Sequence, residues 1–286
     1  ACGLTALAAS AFAMNKLITT FKGALYAGSP VEMAAKGVLT LFDDKSYAGK
    51  VIWRARPCVL SSNDEVGKKI DADICSLGGP MQVGPTFLVI GNSFSVAEFE
   101  MYSALYEKGA GKVVVTSSWG AAPVPEVKID NPWTLANQYY WSAIIPALSS
   151  QLRTGDVLVM INDLSTFTPK VMTAAEEDSL ADLEAGLNRI AREMRGRGIK
   201  IVFQSHNPFM RESGCTPDIA KPQWFKLSER AGCVYYTKAE SLQRMAQLHA
   251  TLDRVRHANP NFFQLDLFSV LCPGNICGFF SDYRTP

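Results

Sequence analysis

Five short apolar segments alternate with longer stretches of mixed polarity from Phe87 onwards. Short apolar runs predict buried strands, and apolar residues at helical spacing between them predict helices. The strands are predicted at Phe87–Ile90, Lys112–Thr116, Asp156–Ile161, Lys200–Phe203 and Phe262–Leu267. Regular alternation of strands and helices is typical of an α/β fold, in which crossover helices join the strands of a parallel sheet.

Specific residues mark helix starts and ends between these strands. Capping boxes, in which a Thr and the Glu three residues later satisfy each other's backbone N–H groups, occur at Thr173-x-x-Glu176 and Thr237-x-x-Glu240. Gly196 and Gly198 end the helix that starts at the first of these boxes. Another helix is predicted from about Pro132 to Leu152, and Pro146 inside it should kink or divide it because proline has no N–H group.

The first 85 residues have a different pattern. Ala1–Met14 is almost wholly small and apolar, but it is shorter than the roughly 20 residues that a membrane span needs. It is the end of a span cut off by the sequence boundary, part of a signal segment or an ordinary buried helix, and we favour the first interpretation. We predict an apolar leader and linker over residues 1–85 and an α/β domain over residues 86–286.

Six of the seven cysteines form sequence-local pairs, Cys58 with Cys75, Cys215 with Cys233 and Cys272 with Cys277, while Cys2 lies apart. A zinc site needs several tight Cys-x-x-Cys-type pairs, and only the last pair is close, so we predict no metal site. We predict disulfides, which imply an oxidising compartment, and a first bridge that clips the linker before the α/β domain. Buried reduced thiols in a cytosolic protein are the alternative, since spacing does not prove pairing.

The charge distribution excludes one class of partner. The net charge is +1, and the chain has no run of like charge and no basic stripe with interleaved aromatic residues. We therefore expect no nucleic-acid binding, which requires a basic surface. The chain also lacks the G-x-G-x-x-G and Walker patterns of nucleotide-binding proteins, and we predict no cofactor.

Ser93 lies at a predicted turn from a strand into a helix. Gly91 follows the strand Phe87–Ile90 and permits a sharp turn, and apolar residues at helical spacing follow Ser93. The hydroxyl therefore stands at the carboxyl end of a strand and at the positive end of a helix. Open α/β sheets bind ligands there, and a nucleophile gains electrostatic assistance. A serine that merely caps the helix is the alternative interpretation.

Polar residues also follow the other predicted strands. Because the carboxyl ends of parallel strands share one edge of the sheet, these residues converge on one crevice. They are Ser93, Gly120, Asn162, Asp163, His206, Asn207 and Asp266. Acyl transfer needs a serine oxygen, a base and donors aimed at the developing oxyanion, and the main-chain N–H groups of Ser93 and Gly120 and the amide of Asn162 are such donors. Asp163 capping a turn and Asp266 holding a loop are the alternative interpretations.

These positions resemble the SGNH, or GDSL-like, hydrolases, and specifically the SGNH domain fused behind a multipass acyltransferase-3 membrane domain. Phe87-Leu-Val-Ile-Gly-Asn-Ser93 resembles the first sequence block of that family, with Asn92 where many members have Asp. Gly120 matches the glycine of the second block, and Met160-Ile-Asn-Asp163 resembles the third, G-x-N-D, with Met160 in place of the glycine. Cys272-Pro-Gly-Asn-Ile-Cys277 resembles the cysteine pair before the fourth block. The resemblance covers roughly residues 58–286.

The resemblance implies a three-layer α/β/α, flavodoxin-like fold with a parallel sheet of about five strands. It implies an O-acyltransferase or acyl-esterase that uses Ser93 as nucleophile, with Gly120 and Asn162 in the oxyanion hole. The substrate would be an acyl ester and a carbohydrate or other hydroxyl acceptor. The domain would be attached to a membrane acyltransferase domain in the same full-length chain, on the lumenal or extracellular side of the secretory pathway. A non-catalytic binding or assembly domain on the same fold is the alternative.

The family's general base comes from an Asp-x-x-His block shortly after the cysteine pair, and the sequence ends at Pro286 without one. We expect that the domain is truncated at both ends and that a histidine beyond residue 286 is the base. Within the sequence, His206 is the only histidine that the predicted topology brings near Ser93. We expect His249 to be a half-buried core residue and His257 to lie at a helix end.

Overall fold

The computed structural model of the protein describes residues 44–47, 51–78, 83–208, 236–275 and 277. They belong to two compact units, and the described residues of the larger unit lie within 44–207 and 242–269. Those of the smaller unit are 208, 236–241, 270–275 and 277. The predicted leader at Ala1–Met14 and the Cys215–Cys233 pair lie outside the described residues. The predicted domain boundary after residue 85 stays a prediction.

The larger unit is built on a parallel sheet. The described strands are β1 (Asp44–Tyr47), β2 (Val51–Arg54), β3 (Val59–Leu60), β4 (Thr86–Gly91), β5 (Lys112–Val115), β6 (Ser117–Ser118), β7 (Val157–Ile161), β8 (Lys200–Gln204) and β9 (Phe262–Leu265). Five of them pair in parallel in the order β5-β4-β7-β8-β9, which confirms the predicted sheet. The central strand β7 is buried along its whole length, because helices cover both faces of a parallel sheet.

The described helices are α1 (Ala55–Cys58), α2 (Ser93–Ala97), α3 (Phe99–Glu107), α4 (Thr134–Tyr139), α5 (Ile145–Ser149), α6 (Ala174–Gly196), α7 (Lys238–Ala258) and α8 (Phe268–Leu271). Both predicted capping boxes are confirmed. The Thr173 hydroxyl accepts a hydrogen bond from the Glu176 N–H, and the Glu176 carboxylate accepts one from the Thr173 N–H. Thr237 and Glu240 make the same exchange at the start of α7. Within the described ranges, no helix has both the length and the apolar character of a membrane span.

Pro146 divides the helix that was predicted over residues 132–152. The chain is α-helical in α4, makes a π-helical turn at Tyr140–Ile144 and returns to the α form in α5. A π-helical turn shifts the backbone hydrogen bonds by one residue, so a proline without an N–H group can be accommodated. The prediction is confirmed, and the π-helical turn begins at Tyr140, which is fully buried.

The segment before β4 covers one edge of the sheet. Residues 75–77 pair with the edge strand β5 through backbone hydrogen bonds. A buried disulfide joins Cys58 to Cys75 and fixes this segment, as predicted. The predicted disulfide between Cys272 and Cys277 is also formed, in the smaller unit. Part of the outer side of the edge strand β5 is therefore covered. An edge strand that exposed all of its N–H and C=O groups could pair with another chain.

Gly91 is required where β4 passes β7. Its φ is 153°, a conformation that residues with a side chain rarely adopt. A Cβ atom at this position would lie 1.7 Å from the carbonyl oxygen of Ile161, the residue opposite Gly91 in β7. The backbone of a neighbouring strand cannot move aside as a flexible side chain can. Only glycine therefore allows β4 to turn into α2 at this point.

We predict that Gly91→Ala destabilises the fold by more than about 3 kcal/mol, because the clash is with strand backbone. Gly109→Ala is the matched control, since Gly109 also has a positive φ of 66° but a Cβ atom there would have no other atom within 4 Å. The control should lose only about 1–2 kcal/mol, the cost of a left-handed conformation. Urea unfolding of both variants measures the difference, and equal losses would contradict the close strand approach.

Candidate active site

Ser93 is exposed and is the first residue of α2. The helix is capped by Asn92, whose side-chain oxygen accepts a hydrogen bond from the Phe94 N–H at 3.0 Å. The capping interpretation of Ser93 is therefore wrong, because the cap lies one residue earlier than that interpretation requires. Within the described ranges, the Ser93 hydroxyl makes no hydrogen bond. It is thus available to a ligand.

Asn162 follows β7, the strand next to β4, and is only 6% exposed. Its side-chain oxygen accepts a hydrogen bond from the Asn92 N–H at 3.2 Å, so the structure brings Asn162 to the turn that carries Ser93. Its Nδ2 group is enclosed and has no hydrogen-bond partner among the described residues. An enclosed donor without a partner costs about 1–3 kcal/mol. This amide is therefore a costly donor that the fold leaves unsatisfied, and a ligand would reach it only when the groups that enclose it move apart.

Gly120 lies in the loop after β6, with a φ of 63°. Its carbonyl oxygen accepts a hydrogen bond from Asn131 Nδ2 at 2.8 Å. A Cβ atom at Gly120 would lie 2.9 Å from the ring of Trp133. The start of the loop is attached to the turn, because the Ser117 hydroxyl donates to the Asn92 carbonyl at 2.7 Å. No hydrogen bond among the described residues joins Gly120 directly to Ser93.

Sequence reasoning missed two residues that hold this site. Asn131 fixes the Gly120 loop, and the Asn131-Pro132 dipeptide was a turn signal that could have drawn attention to it. Tyr140 lies beneath the turn, and its hydroxyl accepts a hydrogen bond from the Gly91 N–H at 3.3 Å. Burial raises the pKa of the Tyr140 phenol far above its usual range, so the group stays neutral. A buried tyrosine on a helix is indistinguishable from a core residue by pattern alone.

Asp163 and His206 form a second polar pair at the same edge of the sheet. The Asp163 N–H donates to Asn92 Oδ1 at 3.2 Å, and the Asp163 carboxylate accepts from the Ser165 N–H at 2.9 Å. The turn-capping interpretation of Asp163 is therefore confirmed. The same carboxylate lies 4.0 Å from His206 Nε2. The Asn207 carbonyl contacts His206 Nδ1, and since a carbonyl only accepts, the neutral ring carries its proton on Nδ1.

The other predicted polar residues have structural contacts. Asp266 accepts a hydrogen bond from the Phe268 N–H at 2.9 Å, so it holds the loop after β9, which agrees with its alternative interpretation. His257 lies near the end of α7, where its Nδ1 is 2.6 Å from the Asp253 carbonyl oxygen, as expected for a helix-end residue. His249 is half-buried on α7, as expected. His206 therefore remains the histidine of interest among those described.

The parallel five-stranded sheet places a serine after β4 and an asparagine after β7, an arrangement that agrees with an SGNH-type fold. A family model described as the SGNH domain (fused to AT3 domains) matches residues 57–286. The chain belongs to this family of SGNH domains, whose members occur fused to membrane acyltransferase domains. A search of the curated proteins finds no match.

Solved structures with a similar fold include two proteins that act on acyl groups. One is the periplasmic domain of a lipopolysaccharide acetyltransferase from Salmonella ser. Paratyphi A, with 12% identity and a TM-score of 0.48, covering 72% of this chain and 74% of that chain. The other is a catalytic mutant of an acetylxylan esterase from Geobacillus stearothermophilus, with 12% identity and a TM-score of 0.37, covering 66% of this chain and 80% of that chain. At these values neither similarity carries a conclusion about function.

We predict that His206→Gln makes the stability of the protein less dependent on pH. Burial is the largest effect on the pKa of His206 and lowers it, Asn207 and Asp163 oppose this, and Arg244 and His249 lower it further. Below about pH 6.5 the unfolded chain therefore binds a proton that the folded chain resists, so stability is full above that pH and falls as the pH drops. Glutamine does not titrate.

Urea unfolding at a series of values between about pH 7.5 and pH 5 tests this. The free energy of unfolding should fall less steeply for the variant than for the wild-type protein. Parallel curves would show that His206 has the same affinity for protons in the folded and unfolded states.

Proposed function

We propose that this SGNH domain transfers or hydrolyses O-acyl groups with Ser93 as its nucleophile. The observation that best supports the proposal is an exposed, unbonded serine hydroxyl at a turn whose Asn92 N–H is hydrogen-bonded to Asn162, the residue with the enclosed, unpaired amide. A nucleophile next to fixed N–H donors is the arrangement that acyl transfer requires. The proposed acceptor is a carbohydrate or another hydroxyl compound.

The proposed reaction begins when the Ser93 oxygen attacks the carbonyl carbon of an acyl ester. A base takes the serine proton, and the carbonyl electron pair moves onto its oxygen. This oxyanion accepts hydrogen bonds from the Ser93 and Gly120 main-chain N–H groups and from Asn162 Nδ2. The tetrahedral intermediate then expels the alcohol, which takes up the proton, and the acyl group stays on Ser93. Attack by water completes a hydrolysis, and attack by an acceptor hydroxyl completes a transfer.

Two histidines are candidates for the base. His206 Nε2 is the basic nitrogen of the neutral ring, but it faces the Asp163 carboxylate at 4.0 Å. The family resemblance instead expects the base in an Asp-x-x-His block of the full-length protein. Turnover by His206→Gln separates the two, because loss of a general base lowers the rate by about 10²–10⁴-fold. We expect turnover to be retained, which would exclude His206 as the base and agree with a base in the Asp-x-x-His block.

The proposal also gives the domain a location. Its family occurs fused to AT3 domains, and these are membrane domains. Two disulfides are formed within the described residues, and disulfides persist in oxidising compartments. We therefore propose that the domain works while attached to a membrane acyltransferase domain, on the lumenal or extracellular side.

We predict that Ser93→Ala in the full-length protein lowers the hydrolysis of 4-nitrophenyl acetate by about 10³-fold or more, because the nucleophile is removed. The unfolding midpoint should not change, since the hydroxyl is exposed and unbonded. Ser150→Ala removes an exposed serine hydroxyl at the end of α5 and serves as the matched control. Unchanged turnover by Ser93→Ala would reject Ser93 as the nucleophile and show that the activity arises outside this site, as expected if the domain is a non-catalytic binding or assembly domain.

We predict that Asn162→Asp lowers kcat by at least about 10²–10³-fold with a smaller effect on KM, because an oxyanion donor is lost and the carboxylate that replaces it repels the oxyanion. The aspartate keeps the oxygen that accepts from the Asn92 N–H, so the turn should stay intact. Steady-state kinetics with the same ester and a thermal unfolding curve provide the two measurements. A variant with normal kcat and a lowered unfolding midpoint would show that Asn162 is only structural.

A further inference from the structure

The side-chain oxygen of Asn92 is held by two donors from different elements. It accepts a hydrogen bond from the Phe94 N–H at 3.0 Å, in α2, and from the Asp163 N–H at 3.2 Å, after β7. Because both partners are donors, the atom that faces them must be the oxygen of the amide. The planar amide therefore has a fixed orientation, and its Nδ2 group points away from both partners.

The main chain of Asn92 is fixed as well. Its N–H donates to Asn162 Oδ1 at 3.2 Å. Its carbonyl oxygen accepts from the Ser95 hydroxyl at 2.8 Å and from the Ser117 hydroxyl at 2.7 Å. The residue is only 7% exposed. Asn92 therefore has no freedom to turn its amide over, and its side chain is as well positioned as the backbone around it.

The Nδ2 group of Asn92 is the one polar group of this residue without a use in the fold. It makes no hydrogen bond to any described residue. It also differs from Asn162 Nδ2, which belongs to the enclosed unpaired atoms, whereas Asn92 Nδ2 does not. The Nδ2 group of Asn92 is therefore an unpaired donor that is not fully enclosed, in the residue directly before Ser93.

Helix capping does not explain why this residue is an amide. Asp and Ser cap helices about as well as Asn, and an acidic residue gains further from the positive end of the helix. A carboxylate at position 92 would accept the same two N–H groups. It would, however, oppose any negative charge that develops on a substrate at Ser93. An amide is neutral, so it does not repel that charge, and its N–H group can donate a hydrogen bond.

We infer that Asn92 is a further catalytic residue, whose Nδ2 group donates a hydrogen bond to a substrate oxygen that becomes negative when Ser93 attacks. This inference rests on the proposed function of Ser93. No proton is transferred to or from Asn92. As the carbonyl electron pair moves onto oxygen, the amide N–H stabilises the negative charge with a hydrogen bond. This hydrogen bond weakens when the intermediate collapses and the carbonyl group forms again. The side chain of Asn92 thus has three roles: its oxygen caps α2 and holds the loop after β7, and its Nδ2 group donates to the substrate.

Two variants of the full-length protein test this inference with 4-nitrophenyl acetate. Asn92→Ser keeps a capping oxygen and removes the amide donor without adding charge, so kcat should fall by about 10-fold or more with little change in KM. Asn92→Asp keeps the shape of the side chain and the hydrogen bonds that it accepts from two N–H groups, but it adds a negative charge. Its kcat should therefore fall further, by about 10²-fold or more. Its unfolding midpoint should stay near that of the wild-type protein. Gln151→Glu, which adds a charge at an exposed site before β7, controls for charge alone.

The outcomes are distinguishable. Wild-type kcat in Asn92→Asp would overturn the inference, and so would a loss in Asn92→Asp with wild-type kcat in Asn92→Ser, since charge alone would then explain it. If Asn92→Ser does not fold, Asn92→Thr replaces it as a capping residue without an amide. Ser93→Ala is assayed in parallel. If Ser93→Ala keeps its activity, the proposed function fails; if it loses activity while both Asn92 variants keep theirs, only the inference about Asn92 fails.

Discussion

The close approach of two strands at Gly91 is the constraint on which the candidate site depends. Without a side chain at this position, the end of β4 can pass the Ile161 carbonyl and turn at once into α2. The turn exposes Ser93 and brings the Asn92 N–H to the side chain of Asn162. Any larger residue at position 91 would clash with the backbone of β7. The contact between the Ser93 turn and the side chain of Asn162 therefore depends on glycine at this position.

The hydrogen bonds of Asn92 convert this strand contact into a rigid site. They connect α2, the loop after β7 and strand β6 through one buried residue. Tyr140 supports the same turn from below by accepting the Gly91 N–H. When the hydrogen bonds that position a buried polar group are all formed, the group is held in one arrangement. Catalytic donors are most effective when they need no reorganisation during the reaction, so this rigidity is itself part of the proposed chemistry.

Local patterns in the sequence were enough to predict the sheet. The five strands start within one residue of their predicted positions, and both capping boxes and two disulfides are formed. Each of these depends on residues that are close in sequence or on a simple periodicity. The positions of Ser93 and Asn162 at one edge followed from the predicted parallel pairing alone, because parallel strands end on the same side.

Contacts between residues distant in sequence could not be predicted. The pairing of residues 75–77 with β5 and the hydrogen bond from Gly91 to Tyr140 leave no periodic signal. The helix cap is Asn92, one residue before the serine considered as a cap from the sequence, and a shift of one residue is finer than apolar spacing can resolve.

The order of the strands also separates the proposed oxyanion donors from the Asp163 carboxylate. Along the edge, Ser93 follows β4, Asn162 and Asp163 follow β7, and His206 follows β8. Gly120 comes later in the chain than the edge strand β5, in the loop after β6, a short strand that pairs with β3 outside this sheet. The proposed donors of Ser93 and Asn162 thus follow β4 and β7, while the Asp163 carboxylate lies 4.0 Å from His206, after β8. A developing oxyanion is stabilised among the donors and repelled by the carboxylate. A base that takes the proton from the Ser93 oxygen should therefore approach from the β8 side, away from the carbonyl oxygen that becomes negative.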